Sequence, residues 1–352
     1  DLLASIDEAI EKGCFVYRRF LPVEKQILAA GDNLPAPEQR PSEQGCPSLT
    51  AFAQDWQALQ APRWKFSMQR TVNINLELHI LPALGRYPVD AITRRDVLRF
   101  RLNLSRKTND KGELLSNDRI NHVMTTLRIL LNEAALEYGL SNPYEGVPQL
   151  RVDKPDVDPF SLKEVNQILA GVRPDFRDYY LVRFFTGLRT SEIDGLQWQY
   201  VDFARGQIRV RKTLVDGRIE TPKTTHSRRE VDMVPPVYDA LRRQYQRTGE
   251  HYPFVFVNQA GNPLDRCCLR NRVWKPLLEA LGLRYRRPYE TRHTAATLWL
   301  AAGENPEWIA RQLGHVDTTM LFRRYSRFVP NLTRRDGSAI EALLEAQLTL
   351  PD

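Results

Sequence analysis

Two stretches rich in proline and charge divide this 352-residue chain into segments that must fold separately. They are Leu34-Pro-Ala-Pro-Glu-Gln-Arg-Pro-Ser-Glu-Gln-Gly45 and Gly146-Val-Pro-Gln-Leu-Arg-Val-Asp-Lys-Pro-Asp-Val-Asp-Pro159. Proline removes backbone donors, and charge resists burial, so both read as linkers. Between them apolar residues recur at helical steps. Leu49, Phe52, Trp56 and Leu59 form one stripe, and similar patterns cover 66–82, 94–106 and 116–139, the last through Ile120, Val123, Leu127 and Leu131. Thr93-Arg-Arg-Asp96 has capping-box spacing with Asp for Glu. Residues 47–145 are therefore expected to form an all-helical domain. Residues 1–46 are an extension that starts with an amphipathic stretch, Leu2–Phe20.

Beyond the second linker, 146–159, Ser161-Leu-Lys-Glu164 opens a helix with a full capping box, and helical pattern continues to about 203. Gln207–Val215 alternates as a strand, Asp216-Gly217 turns, and Arg228–Met233 returns. After Val234-Pro-Pro the pattern is helical to about 330, and a short amphipathic helix, 337–348, closes the chain. The expected fold is mainly α with a small antiparallel β-sheet, in a second domain over 160–331 followed by a tail over 332–352.

Hydrophobic residues make up 42% and charged residues 26%, ordinary values for a folded domain. No apolar run approaches the roughly 18–20 residues that span a bilayer. The start, Asp1-Leu-Leu-Ala-Ser-Ile-Asp-Glu8, lacks both parts of a signal peptide, so a cytosolic protein is expected. It also lacks methionine, which leads us to expect a segment upstream. Cys14, Cys46, Cys267 and Cys268 form no C-x-x-C pair and stand at no zinc-finger spacing from a histidine, so they read as reduced structural thiols.

Net charge is +7, and its distribution matters more than its size. From Arg205 to Arg229 eight basic residues face two acidic ones, and from Pro263 to Arg292 eight face three. Such concentration suits a polyanion, because neutralising phosphates releases counterions. Arg211, Lys212, Arg228 and Arg229 are the candidate DNA contacts in the first cluster.

Three stretches place cations or histidines beside turn signals. In Phe185-Thr-Gly-Leu-Arg-Thr-Ser-Glu192, Gly187 can end one helix and Thr190 or Ser191 can cap the next, leaving Arg189 at the junction with Glu192 near enough to hold it. Lys223 lies in the turn region of the basic strands. The third stretch runs through Tyr289-Glu-Thr-Arg292-His293, Leu313-Gly-His315 and Arg324-Tyr325. Each alone reads equally well as a surface ion pair, a solvated loop or a structural side chain.

Together, T-G-L-R-T-S-E, R-H-T-A-A-T, Q-L-G-H and R-R-Y-S-R-F, in this order, resemble the catalytic domain of tyrosine recombinases, the family of phage integrases and Xer-type recombinases. The likeness covers about 160–331; residues 48–142 resemble the family's core DNA-binding domain, and 1–20 more faintly the end of an arm-binding domain. It implies that Arg189 and Arg292 are the catalytic arginines, Lys223 the hairpin lysine, His315 the motif histidine and Tyr325 the nucleophile, with Glu192 bracing the site and His293 in a structural role. Tyr289 departs from the pattern, because most members carry histidine there. A tyrosine can donate a hydrogen bond but cannot become cationic at neutral pH.

Phosphodiester cleavage needs a nucleophile, charge stabilisation on the non-bridging oxygens and a proton donor for the leaving oxygen. Tyr325 suits the first role and the forked guanidinium groups the second. Lys223 suits the third, with His315 donating a hydrogen bond or assisting proton transfer. The implied product is a 3′-phosphotyrosyl enzyme, and rejoining then needs neither ATP nor another cofactor or metal. The resemblance further implies a clamp on double-stranded DNA and a homo-tetramer on paired sites. It also allows accessory directionality or DNA-bending proteins, and a place at the nucleoid of a bacterial host. Integration and excision of a phage or other mobile element is the expected task. Xer-like dimer resolution, a type IB topoisomerase, a telomere resolvase and a catalytically inactive DNA-binding regulator are the alternatives.

Overall fold

A computed structural model describes residues 45–109, 112–153, 156–222 and 225–325. The amphipathic stretch at 2–20, Lys223 and the tail at 332–352 lie outside the described residues. The chain divides into two compact units, Asp1–Lys154 and Pro155–Asp352.

In the first unit Ser48 caps α1 (Leu49–Gln60) by accepting from the Ala51 amide. α2 (Phe66–Asn75) passes through a π-helical turn, Leu76–Ile80, into α3 (Leu81–Leu84). The Thr93–Asp96 capping box opens α4 (Arg94–Arg106), and Ser116 caps the long α5 (Asn117–Tyr138). Leu49, Phe52 and Trp56 from α1 meet Val97 and Phe100 from α4 and Ile120, Val123 and Leu127 from α5 in one apolar core. One buried polar link joins α2 to α5, where Asn75 Nδ2 donates to Thr126 Oγ1 at 2.8 Å. Leu59 differs from expectation, at 74% exposed. Its stripe outruns the core at the end of α1, where Trp64 folds back onto Trp56 with ring centroids 5.0 Å apart.

The second unit begins with α6 (Leu162–Gly171), opened by the full Ser161–Glu164 box, then α7 (Pro174–Thr186) and the short α8 (Thr190–Asp194). β1 (Val201–Asp202), β2 (Gln207–Val210) and β5 (Arg229–Asp232) form an antiparallel sheet in the order β1-β2-β5. β3 (Thr213–Val215) and β4 (Arg218–Glu220) form a separate hairpin. The strand expected to run unbroken from Gln207 to Val215 therefore stops at Val210 and restarts in the other sheet. The turn at Asp216-Gly217, with φ of 49° and 76°, joins β3 to β4 rather than to the strand at 229. β5 instead pairs with β2, Ile208 facing Val231 and Val210 facing Arg229.

α9 (Pro235–Thr248) follows, then α10 (Arg266–Leu269), a π-helical turn Arg270–Trp274, and α11 (Lys275–Ala280). Among the described residues the chain ends with α12 (Glu290–Ala301), α13 (Pro306–Leu313) and α14 (Thr319–Tyr325). The helical pattern expected to continue from 234 is interrupted over 251–264 and 283–288, where Pro253, Gly261, Pro263 and Pro288 break it. Trp274, fully buried, anchors the core by stacking on Tyr180 at 5.0 Å and donating its indole N–H to the Arg286 carbonyl at 2.7 Å. Among the described residues no helix is long and apolar enough to cross a membrane.

Candidate active site

Two glycines in left-handed conformation end the helices that frame the site. Gly187 (φ 59°) closes α7 and Gly314 (φ 66°) closes α13, each at a position where an L side chain is strained. At Gly187 a Cβ would also lie 2.8 Å from Leu313, so the two helix ends approach closely. Arg292, on the first turns of α12 and 2% exposed, ties them together. Its Nη1 donates to Gly187 O and its Nη2 to Leu313 O, both at 2.6 Å. The same Nη2 lies 3.4 Å from His315 Nε2.

Arg189, just before α8, donates Nη1 to Glu192 Oε1 at 2.7 Å, and its backbone N–H to Glu192 Oε2 at 2.8 Å. Glu192, not Thr190 or Ser191, thus closes the start of that helix. Arg229 grips the same carboxylate with both arms, at 3.0 and 2.9 Å, and sends Nε to Gln312 O. Burial works to raise the Glu192 carboxyl, but the charge and hydrogen bonds of Arg229, with Arg189 and Arg292, hold it down at about 2. Burial, reinforced by the charge of Arg189 and Arg229, lowers Arg292 to about 10, still protonated at neutral pH. Burial and the three arginines lower His315 to about 4. His315 is therefore neutral at pH 7. Because Arg292 can only donate, Nε2 accepts and Nδ1 carries the proton, buried without a hydrogen-bond partner.

These groups face an open cleft of about 930 Å³, lined by Arg189, Glu192, Arg287, Tyr289 and His315 among others. Arg292 sits directly behind His315. Tyr325, the final residue of α14, is 2% exposed in an apolar cluster with Ala295, Ala296, Leu313 and Leu321. Its hydroxyl lies 2.6 Å from Nδ1 of His293. Burial pushes the phenol up to about 12, and Arg292 works against that rise. Burial and the nearby Arg324, Arg292 and His315 lower His293 to about 4, so the ring is neutral at pH 7 and shares a hydrogen bond with the phenol through Nδ1.

The structure thus brings Arg189, Glu192, Tyr289, Arg292, His293, His315 and Tyr325 into one region. Lys223 lies outside the described residues; Thr221, Pro222 and Ser227 on either side of it line the cleft. Among the expected DNA contacts, Arg228 is exposed and Lys212 half-buried. Arg211 donates to Glu230 and, at 3.1 Å, to the Arg229 carbonyl. Arg229 requires correction. At 4% exposed, with its arms on Glu192 and Gln312, it braces the site and has no free face for DNA.

Arg183, not foreseen from the sequence, is 2% exposed and donates to Tyr179 Oη, Thr190 Oγ1 and Pro288 O, each at 2.9 Å. It fixes the start of α8 against the turn before α12. A lone arginine within the apolar run Tyr179-Tyr-Leu-Val-Arg-Phe-Phe185 was the available signal.

Residues 160–330 match the phage integrase family. The prophage integrase IntR of Escherichia coli (strain K12) is 28% identical over 292 residues, covering 73% of this chain and 70% of that protein. Among solved structures, the Tn1549 transposon integrase in complex with transposon right end DNA aligns with a TM-score of 0.68 at 22% identity, over 86% of this chain and 100% of that one. A lambda integrase tetramer bound to a Holliday junction aligns with a TM-score of 0.61 at 15% identity, over 90% and 83%. At these identities the structural likeness shows the fold. The second unit thus carries a phage integrase domain of the tyrosine recombinase kind, and the likeness to prophage and mobile-element integrases makes the chain a site-specific recombinase of the mobile-element kind.

Proposed function

We propose that the cleft holds the scissile phosphate of a DNA duplex, with Tyr325 as nucleophile and Arg189 and Arg292 on the non-bridging oxygens. The observation that carries this is that Arg189 and His315 line one cleft with Arg292 directly behind His315, and the Tyr325 phenol is close enough to feel the charge of Arg292. Phosphate supplies the negative charge that this group of cations lacks. His315, neutral, donates a hydrogen bond to the phosphate once its ring turns to bring the protonated nitrogen out of its buried position. Lys223 protonates the departing 5′ oxygen, leaving a 3′-phosphotyrosyl enzyme.

The partner is double-stranded DNA, held by the helical first unit as core-binding domain and the second as catalytic domain. Lys212 and Arg228 contact phosphates beside the cleft. Four protomers act on paired sites. Accessory directionality or DNA-bending proteins select integration or excision, and the protein works at the nucleoid.

The test is a nicked suicide duplex carrying the attachment sequence of the element that encodes the protein, analysed on a denaturing gel. The expected result is a covalent adduct at a 3′ phosphate, mapped to Tyr325 by peptide mass. Retained binding without any adduct would instead mark a DNA-binding regulator.

Arg292→Lys provides a second measurement. One ammonium cannot hold Gly187 O and Leu313 O while presenting a fork to phosphate. Single-turnover adduct formation should fall about 10²–10³-fold with duplex binding retained. A rate within tenfold of the parent would remove Arg292 from the reaction.

A further inference from the structure

We propose that His293 is the proton acceptor for Tyr325 during strand cleavage, a role that rests on Tyr325 being the nucleophile. The geometry is direct: Nδ1 stands 2.6 Å from the phenol oxygen, with ring centroids 5.6 Å apart. Both side chains are buried, His293 at 8% and Tyr325 at 2% exposed, in surroundings lined by Ala295, Ala296 and Leu321. Successive residues of a helix point about 100° apart. α12 therefore sends Arg292 toward the carbonyls behind His315 and His293 toward the phenol. Tyr289, one turn earlier on the same face, meets the His293 ring edge-on at 5.2 Å. Its hydroxyl can donate to a phosphate, but a phenol is a poor base, so the residue three positions before the second arginine leaves the proton-accepting role open.

The step balances. The Tyr325 proton moves to Nδ1, the freed electron pair on Oη forms the bond to phosphorus, and the phosphorus–O5′ bond breaks as O5′ takes a proton from the proposed acid, Lys223. On rejoining, the 5′ hydroxyl attacks phosphorus while its proton returns to the neutral Lys223, the phosphorus–Oη bond breaks, and the imidazolium returns its proton to the departing Oη. The ring must start neutral for this cycle, and burial with the nearby arginines keeps it so. The titratable and charged groups facing it are Tyr289 just before α12, Arg292 on α12, Tyr325 and Arg324 on α14, and His315 just after α13.

The experiment compares the full chain with His293→Asn and His293→Ala on two suicide duplexes, one with an ordinary phosphate and one with a 5′-bridging phosphorothiolate, whose thiolate leaves without protonation. Asparagine keeps an acceptor near the Nδ1 position but is no base. The expected result is a loss of about 10²–10⁴-fold in cleavage by His293→Asn on both duplexes, with duplex binding unchanged. On the thiolate duplex Lys223→Ala should recover and His293→Asn should not, which separates base from acid. Cleavage by His293→Asn within threefold of the parent would reduce the contact to hydrogen-bonded positioning and overturn the proposal. So would faster cleavage by His293→Ala, the mark of a latch. Should neither variant fold, the parent's pH profile on the thiolate duplex decides. An ascending limb at acid pH, where His293 loses its proton at about 4, supports the proposal, and a climb only through the phenol range overturns it. An adduct formed by Tyr325→Phe would defeat the underlying assignment instead.

Discussion

Tyr325→Phe is expected to abolish the covalent protein–DNA product, while Tyr289→Phe leaves its rate within about tenfold, the scale of one hydrogen bond of about 1 kcal/mol. Access alone would suggest the reverse, since Tyr289 is 42% exposed on the cleft and Tyr325 only 2% exposed. Chemistry decides otherwise. Tyr325 combines the nearby charge of Arg292 with a hydrogen bond to a neutral imidazole, whereas Tyr289 meets that imidazole by ring edge. Phenylalanine preserves the ring packing and removes one hydroxyl, so folding should lose only about 1 kcal/mol. Duplex binding by gel shift should be unchanged in both variants. An adduct that survives Tyr325→Phe and disappears with Tyr289→Phe would exchange the two assignments.

Glu192→Gln should be the most damaging substitution for stability. The carboxylate is 3% exposed and offsets the charge of two guanidinium groups, one of them, Arg229, held at both oxygens. Glutamine has nearly the same shape but leaves Arg229 buried without its anion, a loss of about 3–5 kcal/mol. For a unit of this size the melting temperature should fall on the order of 10 °C. The pH dependence follows from the depressed carboxyl, held at about 2 against an ordinary value of 4.5. The unfolded chain takes up this proton first on acidification. The stabilisation, about 3 kcal/mol, is therefore fully present above pH 4.5 and disappears as pH falls toward 2. Melting curves from pH 7 to pH 2 should show that loss in the parent and a flatter response in Glu192→Gln. A variant melting within 2 °C of the parent at pH 7 would show that the carboxylate is not the brace described.

Local chemistry was legible in the sequence. Capping boxes at Thr93 and Ser161 and the helix-ending Gly187 and Gly314 depend on residues a few positions apart, so their spacing is sufficient. The groups around the cleft were legible for another reason. They sit in four short strings whose order survives whatever the intervening chain does. What could not be read depends on partners far along the chain. Arg228 and Arg229 are neighbours of one residue type, yet the first stays exposed just before β5 and the second, opening that strand, is buried against Glu192. The break after Val210 reflects the close approach of Gly195, where a Cβ would fall 2.5 Å from Leu214 N. Nothing in the alternating run from Gln207 to Val215 reports that contact. Leu59 kept its helical spacing although no core extends far enough to cover it.

The two carbonyls that hold Arg292 stand at the C-terminal ends of α7 and α13, on the cap residue Gly187 and the last helical residue Leu313. A helix presents partial negative charge at that end, so two macrodipoles converge on one guanidinium. Burial by itself would favour discharging the group, yet these dipoles give it an electrostatic counterpart in the absence of nucleic acid. The cation is thus prepared before the substrate arrives, and a phosphate entering the cleft meets a field already oriented toward it.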